Sequence, residues 1–264
     1  MLPDFLIIGA MKAGTSTLHY SLQSHPSVGM SKKKEVNFFN ANFDKGTSWY
    51  KQQFLLGKQF YGEASPNYAR IHLYPDTPKY MYKVLPKLKL IFILRDPMER
   101  LLSHLHHDLY RDRISYKEIN NVVLENEDYI KTSSYGWQLE NYLKYYDIEQ
   151  FHFVTFEQLE VNFQKVMSDI LNFIGVDNYN FEDQKQYNST NSKYLIKYHD
   201  KIHRYLPFLS KAYHLLFYFI NYKIPRPVLT PEVNLLIKDK LKEDVSVLEQ
   251  LTKATYSDWF DKEK

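Results

Sequence analysis

Short apolar runs alternate along the chain with longer segments in which apolar residues recur at helical spacing. The apolar runs cover residues 5–9, 59–63, 88–94 and 151–156. The helical patterns cover residues 15–24, 97–110, 135–146, 157–174 and 231–251. Because strands that alternate with helices form βαβ units, the pattern predicts an α/β fold in which helices flank a mainly parallel central sheet. The third run is continuously apolar, as expected of a strand buried on both faces.

The chain of 264 residues is long for one domain but within the range of a large α/β domain. We therefore expect a single domain over residues 1–264, with an aromatic helical insertion or lid at about 194–227. Within it, residues 206–220 are apolar at helical spacing but fewer than the roughly 20 residues that cross a bilayer. We expect a buried or lid helix there, and an interfacial helix with peripheral membrane contact is the alternative.

Composition narrows the classes of function. The formal net charge is only +3, with 34 basic and 31 acidic side chains, so we expect no nucleic-acid partner. The chain contains no cysteine, which excludes disulfides, thiolate zinc sites and cysteine nucleophiles. The first apolar run lacks a basic leader and a small-residue cleavage site, so we expect no signal peptide and a cytoplasmic location.

The first apolar run leads into a glycine-containing loop, Gly9-Ala10-Met11-Lys12-Ala13-Gly14-Thr15-Ser16-Thr17. A strand, a glycine turn and a helix N-terminus in this order cradle phosphate through backbone N–H groups. The nucleotide triphosphatase pattern G-x-x-x-x-G-K-[ST] has a lysine after the second glycine. Here Thr15 stands in that place and the lysine lies inside the loop as Lys12. Such a loop suits an anion bound without magnesium, beside Lys12 and the hydroxyls at the helix N-terminus.

A second candidate anion site begins where the apolar run at 88–94 ends, with the sequence Arg95-Asp96-Pro97-Met98-Glu99-Arg100. Parallel sheets bind ligands at the carboxyl ends of their strands, so Arg95 is a candidate phosphate clamp. Asp96 is expected to cap the next helix and Pro97 to begin it. Ser103, two turns into that helix, can add a hydroxyl. Together the two segments predict two separate phosphate sites.

These segments resemble the sulfotransferases that use 3′-phosphoadenosine 5′-phosphosulfate (PAPS) as the donor. The Lys12 loop is similar to the 5′-phosphosulfate loop of that family, and Arg95 with Ser103 is similar to its 3′-phosphate site. A third segment, Lys34-Glu35-Val36-Asn37-Phe38-Phe39, resembles the K-E-x-x-F-F segment of the heparan-sulfate-type enzymes, whose glutamate is taken as the base. Weaker likenesses in 62–68, 135–139 and 256–259 extend the resemblance across nearly the whole chain.

The resemblance implies a three-layer, P-loop-like sulfotransferase fold and in-line transfer of a sulfuryl group from PAPS to a hydroxyl of a carbohydrate, glycolipid or other small acceptor. The product of the donor is 3′-phosphoadenosine 5′-phosphate (PAP), and no metal is expected. It implies that Lys12 stabilises charge on the leaving phosphate and that Glu35 takes the proton of the acceptor. The residues expected to bind the donor are Lys12, Ala13, Gly14, Thr15, Ser16, Thr17, Arg95, Ser103 and Lys193.

The chain departs from the family pattern at two places. The heparan-type enzymes usually carry a lysine where this chain has Ala64, so that cation is missing or is supplied by the run 32–34. Their K-G-R-type loop over the nucleotide has its nearest counterpart at 188–193, without glycine or arginine, and Lys193 is expected to contact the nucleotide there. Because no stem or membrane anchor precedes the first strand, we expect a compact soluble form like the microbial members.

Two other functions remain open at this stage. The enzyme alternative is a P-loop nucleotide kinase or triphosphatase, in which Asp96 would hold magnesium. The other alternative is a nucleotide- or glycan-binding module that has the fold without the chemistry. For the sulfotransferase itself, His104 and His107 are competing candidates for the base, since the phenol-directed relatives use a histidine. The sequence leaves the acceptor and the oligomeric state undetermined.

Overall fold

The central element is a sheet of five parallel strands in the order β2-β3-β1-β4-β5. The computed structural model describes residues 1–181, 225–256 and 258–261. The strands are β1 (Phe5–Gly9), β2 (Val28–Met30), β3 (Phe60–Ala64), β4 (Lys89–Leu94) and β5 (Phe151–Thr155). The sheet confirms the predicted α/β fold with a mainly parallel sheet flanked by helices.

Helices of the described residues connect these strands and cover the sheet. They are α1 (Thr15–Ser24), α2 (Phe38–Ala41), α3 (Gly46–Lys51), α4 (Thr77–Val84), α5 (Pro97–Tyr110), α6 (Ile119–Glu125), α7 (Asp128–Lys131), α8 (Tyr135–Tyr142), α9 (Phe156–Val161), α10 (Phe163–Ile174), α11 (Pro231–Thr252) and α12 (Asp258–Asp261). Helix α1 packs beside β2 and β3, and α10 packs beside β4 and β5. Helix α11 packs on α8 near the C-terminus.

The middle of the sheet is the core of the molecule. Strand β1 is buried along its whole length between β3 and β4, and β4 is buried from its second residue onward. Phe5 of β1 is in register with Gly62 of β3. A Cβ atom at Gly62 would lie 2.1 Å from the ring of Phe5, so only glycine lets this ring lie against the neighbouring strand. The close approach holds β1 and β3 in a fixed register.

The structure corrects several predicted boundaries. The run at 59–63 forms a strand one residue later, and the helix predicted at 135–146 ends at Tyr142. The helix predicted at 157–174 is two helices, because Asn162 leaves the helical conformation with φ −141° and ψ 61° between α9 and α10. The prediction also missed β2, a three-residue edge strand with a central glycine, which is too short to show periodicity.

The predicted insertion at 194–227 lies outside the described residues except for its last three positions. The apolar segment at 206–220, for which a lid helix or an interfacial helix was expected, lies entirely outside them. Over the part of the chain that the structure describes, no helix combines the length and the apolar content needed to span a bilayer.

Helix α11 supplies the side chain that caps the N-terminus of α8. Asp244 on α11 accepts hydrogen bonds from the backbone N–H groups of Gly136 (2.8 Å) and Trp137 (2.9 Å) at the start of α8. These N–H groups have no partner within α8, so a carboxylate from another helix replaces a local cap. A Cβ atom at Gly136 would lie 2.3 Å from the carbonyl oxygen of Asp244. Glycine at this position therefore allows the two helices to approach closely enough for the cap.

The cap predicts a pH dependence of stability. Burial raises the pKa of Asp244 from 3.8 to about 6. Between these values the folded state binds more protons than the unfolded state, so the free energy of unfolding falls as the pH rises. Compared with Asp244→Asn, the wild type should lose roughly 2–3 kcal/mol more stability between pH 4 and pH 7, as measured by urea unfolding. An equal pH dependence of both proteins would contradict this assignment.

Candidate functional site

The loop between β1 and α1 has the geometry of an anion-binding turn. Lys12 has a φ of 70° and Gly14 a φ of 100°, and left-handed residues of this kind occur in backbone turns whose N–H groups bind anions. Gly14 is the N-cap of α1 and has no side chain that could cap the helix. The φ of Gly14 favours glycine, and a Cβ atom there would lie 3.0 Å from the ring of Phe156, so a larger residue would also have to displace this ring slightly. Thr15, the first residue of α1, is buried beside this turn.

Arg95 connects this loop to the second candidate site. It follows β4 directly, and its Nη1 donates a hydrogen bond of 3.2 Å to the carbonyl oxygen of Lys12. Its guanidinium group lies 4.7 Å from the centre of the Phe156 ring, a cation–π contact. The OH of Tyr135 donates to the carbonyl oxygen of Arg95 at 2.9 Å. The structure therefore brings the two predicted phosphate sites together at the carboxyl edge of the sheet.

Asp96 and Pro97 have the predicted structural roles. Oδ1 of Asp96 accepts hydrogen bonds from Met98 N (2.9 Å) and Glu99 N (3.2 Å), and Pro97 is the first residue of α5. Asp96 is buried, and its backbone N–H donates to the carboxylate of Glu157 at 3.1 Å. The Asp96 carboxylate therefore caps α5, which is the role that its sequence position predicts.

A second arginine, which has no predicted role, joins this region. Arg226 forms an ion pair with Oε2 of Glu99, the atom that lies 3.5 Å from Nη2 of Arg95. The OH of Tyr116 donates to the carbonyl oxygen of Arg226 at 3.1 Å. Ser103, one turn after Glu99 on α5, is buried at 8% exposure. The signal in the sequence was the arginine between two prolines at 225–227, but its partner lies 127 residues earlier in the chain.

Glu35 lies in the turn formed by residues 31–37, which connects β2 to α2 and runs beside the end of β3. Its backbone N–H donates to the carbonyl oxygen of Ala64 at 3.0 Å, and its carboxylate forms an ion pair of 2.6 Å with Nζ of Lys34. The side chain of Glu35 is 42% exposed, and that of Lys34 is 14% exposed. Burial lowers the pKa of His19 on α1 to about 4, Lys34 contributes to this, and Glu35 opposes it. The turn therefore lies close to the helix that follows the Lys12 loop.

The three lysines before Glu35 have different surroundings. Lys34 contacts the carboxylate of Glu35, whereas Nζ of Lys32 donates to the carbonyl oxygen of Gln52 at 2.9 Å. Lys33 is exposed. Ala64, which stands where the heparan-type enzymes have a lysine, is fully buried at the end of β3. Of the lysines at 32–34, Lys34 is therefore the one whose ammonium group contacts the Glu35 carboxylate.

His104 is enclosed rather than available to a substrate. It is 5% exposed, and its two ring nitrogens lie 3.4 Å from Nη1 of Arg100 and 3.5 Å from Oδ2 of Asp108. Burial and the nearby Arg100 hold the pKa of His104 well below its usual value. Arg100 is itself fully buried and bonded to Ser133 Oγ at 2.6 Å. His104 therefore belongs to the packing of α5, and His107 is a partly buried residue of the same helix.

Two further expectations concern nucleotide and metal. Lys193 and the loop at 188–193 lie outside the described residues, so Lys193 stays a prediction. Within residues 1–181, 225–256 and 258–261, no group of three or more histidine, aspartate or glutamate side chains comes together as a metal site would require.

Comparisons with known proteins identify the family. The family described as "Sulfotransferase domain" matches residues 2–215. The membrane-associated sulfotransferase kil1 of Dictyostelium discoideum is 40% identical over 145 residues, which are 51% of this chain and 30% of that protein. Heparan sulfate glucosamine 3-O-sulfotransferase 5 of Homo sapiens is 33% identical over 173 residues, which are 60% of this chain and 49% of that protein. The chain thus spans less than half the length of these relatives.

Solved structures give the same result for the fold. The sulfotransferase from Alicyclobacillus acidocaldarius superposes with a TM-score of 0.72 at 23% identity, over 98% of this chain and 99% of that one. Mouse sulfotransferase SULT7A1, solved in complex with PAP, superposes with a TM-score of 0.51 at 14% identity, over 96% of this chain and 89% of that one. At such low identity these likenesses establish the fold alone. Joined to the family match, they confirm the resemblance stated from the motifs: the chain belongs to the sulfotransferase domain family.

Proposed function

We propose that this chain transfers a sulfuryl group from PAPS to a hydroxyl group of a carbohydrate or related small acceptor. The observation that carries the proposal is the hydrogen bond between Arg95 and the carbonyl oxygen of Lys12. It joins an anion-binding turn to a guanidinium group at one edge of the sheet. A donor with one phosphate at each end of a ribose needs two such sites close together, and a nucleotide with a single 5′-phosphate does not.

The donor would lie across the carboxyl edge of the sheet, between the Lys12 loop and Arg95. The N–H groups at the start of α1 and the hydroxyls of Thr15, Ser16 and Thr17 would hold the 5′-phosphosulfate, with Gly14 supplying backbone. The N–H group of Ala13 donates to the carbonyl oxygen of Ala10 at 3.2 Å, so Ala13 would shape the turn. Arg95 and Ser103 would hold the 3′-phosphate, and Lys193 would contact the nucleotide. Exposed Arg226 adds a cation near Arg95. Lys12 would stabilise the charge that grows on the 5′-phosphate when the bond to sulfur breaks.

The acceptor would enter beside Glu35. This carboxylate is partly exposed beside the end of β3, and β3 is the neighbour of β1, which leads into the Lys12 loop. Glu35 would take the proton from the acceptor hydroxyl as the oxygen attacks sulfur. The carbohydrate class is supported by the name of the relative that acts on heparan sulfate glucosamine. A cytoplasmic location of the protein stays a prediction from the first apolar run.

Calorimetry with three nucleotides tests the donor class. The purified protein is titrated with PAP in the presence of a chelator, and separately with 5′-AMP and with ATP plus magnesium. Binding that requires the 3′-phosphate and is independent of magnesium is the expected result, because the Arg95 site recognises that phosphate. Preference for ATP with magnesium would overturn the proposal in favour of the kinase alternative.

Arg95→Ala should weaken the binding of PAP by roughly 30- to 700-fold, or about 2–4 kcal/mol, because it removes a charge-assisted hydrogen bond to the 3′-phosphate. The affinity for 5′-AMP should change much less. Arg113→Ala is the matched control, since Arg113 forms an ion pair with Asp108 in the last turn of α5. If PAP and 5′-AMP lose affinity equally, the 3′-phosphate binds somewhere else.

A further inference from the structure

A buried carboxyl group lies next to the turn that carries Glu35. Glu63 in β3 is fully buried. Its Oε1 accepts hydrogen bonds from Ser65 Oγ and from the OH of Tyr68, the latter at 2.9 Å, and its Oε2 accepts one from the OH of Tyr50. Three hydroxyl groups therefore surround this one carboxyl group, and each of them donates to it.

Two of these hydroxyls also bind the backbone of the turn. Ser65 Oγ accepts a hydrogen bond from Asn37 N at 3.0 Å, and the Tyr68 oxygen accepts one from Phe38 N at 2.8 Å. A hydroxyl oxygen that accepts an N–H bond must direct its own hydrogen elsewhere. For both hydroxyls that direction is toward Glu63. The carboxyl group therefore orients the lone pairs that hold the turn.

The turn needs such external contacts. Glu35 and Asn37 have φ values of 65° and 53°, a left-handed conformation that is uncommon for residues other than glycine and persists only where the surroundings enforce it. The first N–H groups of α2 have no partner within the helix. Ser65 and Tyr68 bind the N–H groups at its start, and the carbonyl oxygen of Ala64 binds the N–H group of Glu35. Residues 64–68 thus fix the backbone at Glu35 and directly after it, at Asn37 and Phe38.

We propose that Glu63 is a positioning residue for sulfuryl transfer: through the hydroxyls of Ser65 and Tyr68 it holds the turn that keeps Glu35 at the acceptor hydroxyl. The inference rests on the proposed function, in which Glu35 is the base. Burial raises the pKa values of Tyr50 and Tyr68 well above the usual value. Both tyrosines therefore stay protonated and remain hydrogen-bond donors to Glu63 at neutral pH.

Tyr68→Phe tests the inference without placing a new group in the core. It removes the hydroxyl that links Glu63 to Phe38 N. With PAPS and the best acceptor found for the wild type, kcat should fall about 10- to 100-fold, because a small displacement of a catalytic group costs about that much. The dissociation constant for PAP should stay within about twofold, because the Lys12 loop is untouched. Tyr146→Phe is the matched control: its buried hydroxyl donates to the carbonyl oxygen of Leu85 at 3.1 Å, away from the turn.

A double-mutant cycle separates positioning from general stability. If Tyr68 acts through Glu35, Tyr68→Phe should lower kcat by less than about twofold once Glu35→Gln is present, because groups that act as a unit are not additive. Independent, multiplicative losses would overturn the inference. Should Tyr68→Phe not fold, Ser65→Ala removes the other link, and Ser65→Thr, which keeps the hydroxyl, should restore kcat.

The failure of this inference differs from the failure of the proposed function. A wild type that binds no PAP and transfers no sulfuryl group from PAPS would overturn both. A wild type that transfers sulfuryl groups, together with Tyr68→Phe and Ser65→Ala variants that retain full kcat, would overturn the role of Glu63 alone. Loss of PAP binding in Tyr68→Phe would also contradict it, because the network would then support the whole site rather than the turn of Glu35.

Discussion

Lys12→Met is expected to lower kcat for sulfuryl transfer by about 10²- to 10³-fold. Negative charge develops on the bridging oxygen of the 5′-phosphate as the bond to sulfur breaks. A cation already held at that oxygen stabilises the transition state more than the bound donor, so its loss acts mainly on kcat. Methionine keeps an unbranched side chain of similar length, and the left-handed backbone at position 12 is equally strained for both residues.

Single-turnover kinetics with PAPS and calorimetry with PAP measure the two effects separately. The dissociation constant for PAP should rise far less than kcat falls, by about tenfold or less. Lys83→Met, which removes an exposed lysine from α4, is the matched control and should leave both quantities unchanged. If Lys12→Met weakens PAP binding and keeps kcat, Lys12 binds the ground state and another group stabilises the leaving phosphate.

The central elements of the fold were predictable because several signals agree at each of them. The run ending at Gly9 and the helix beginning at Thr15 were located to the residue, since an apolar strand, a glycine loop and an amphipathic helix follow one another directly. The helix starting at Pro97 was predicted with equal accuracy because Asp96 and Pro97 are strong start signals. The break at Asn162 was missed because the apolar periodicity continues through it, and one residue outside helical geometry leaves no trace in the pattern.

The candidate site was predictable in its motifs but not in its contacts. Lys12 and Arg95 were assigned to two separate anion sites, and only the order of strands in the sheet shows that β1 and β4 are neighbours. Phe156, which contacts both Gly14 and Arg95, comes from the start of α9. Its position depends on the pairing of β4 with β5. An ordinary aromatic residue after an apolar run carries no sign of that role.

The contacts of Glu63 also could not be predicted from the sequence. Its segment resembled a family motif, and Ser65 and Tyr68 within that segment are close enough in sequence to suggest a cluster. Tyr50, the third hydroxyl donor, comes from α3, and Phe38 N comes from the start of α2. Hydrogen bonds between three separate elements depend on packing, which local sequence patterns do not contain. The role proposed for Glu63 therefore became visible only in the structure.

Glu35→Gln is expected to lower kcat by about 10²- to 10⁴-fold, the range that general-base catalysis contributes. Glutamine keeps the size of the side chain and can still accept a hydrogen bond, but it cannot take the proton of the acceptor hydroxyl. The turn should survive the change, because it is held by backbone contacts to Ala64, Ser65 and Tyr68. The dissociation constant for PAP should therefore stay within about twofold of the wild-type value.

Initial rates with PAPS and the best acceptor, with PAP calorimetry beside them, measure this prediction. Glu127→Gln is the matched control, since Glu127 also forms a 2.6 Å ion pair with a nearby lysine, Lys131, and it should change neither quantity. A variant that binds PAP normally and has lost transfer would reject the non-catalytic binding module, which needs no base. Full kcat in Glu35→Gln would mean that another group takes the proton, and enclosed His104 is poorly placed to do so. The base would then be a group that faces the acceptor from outside the turn.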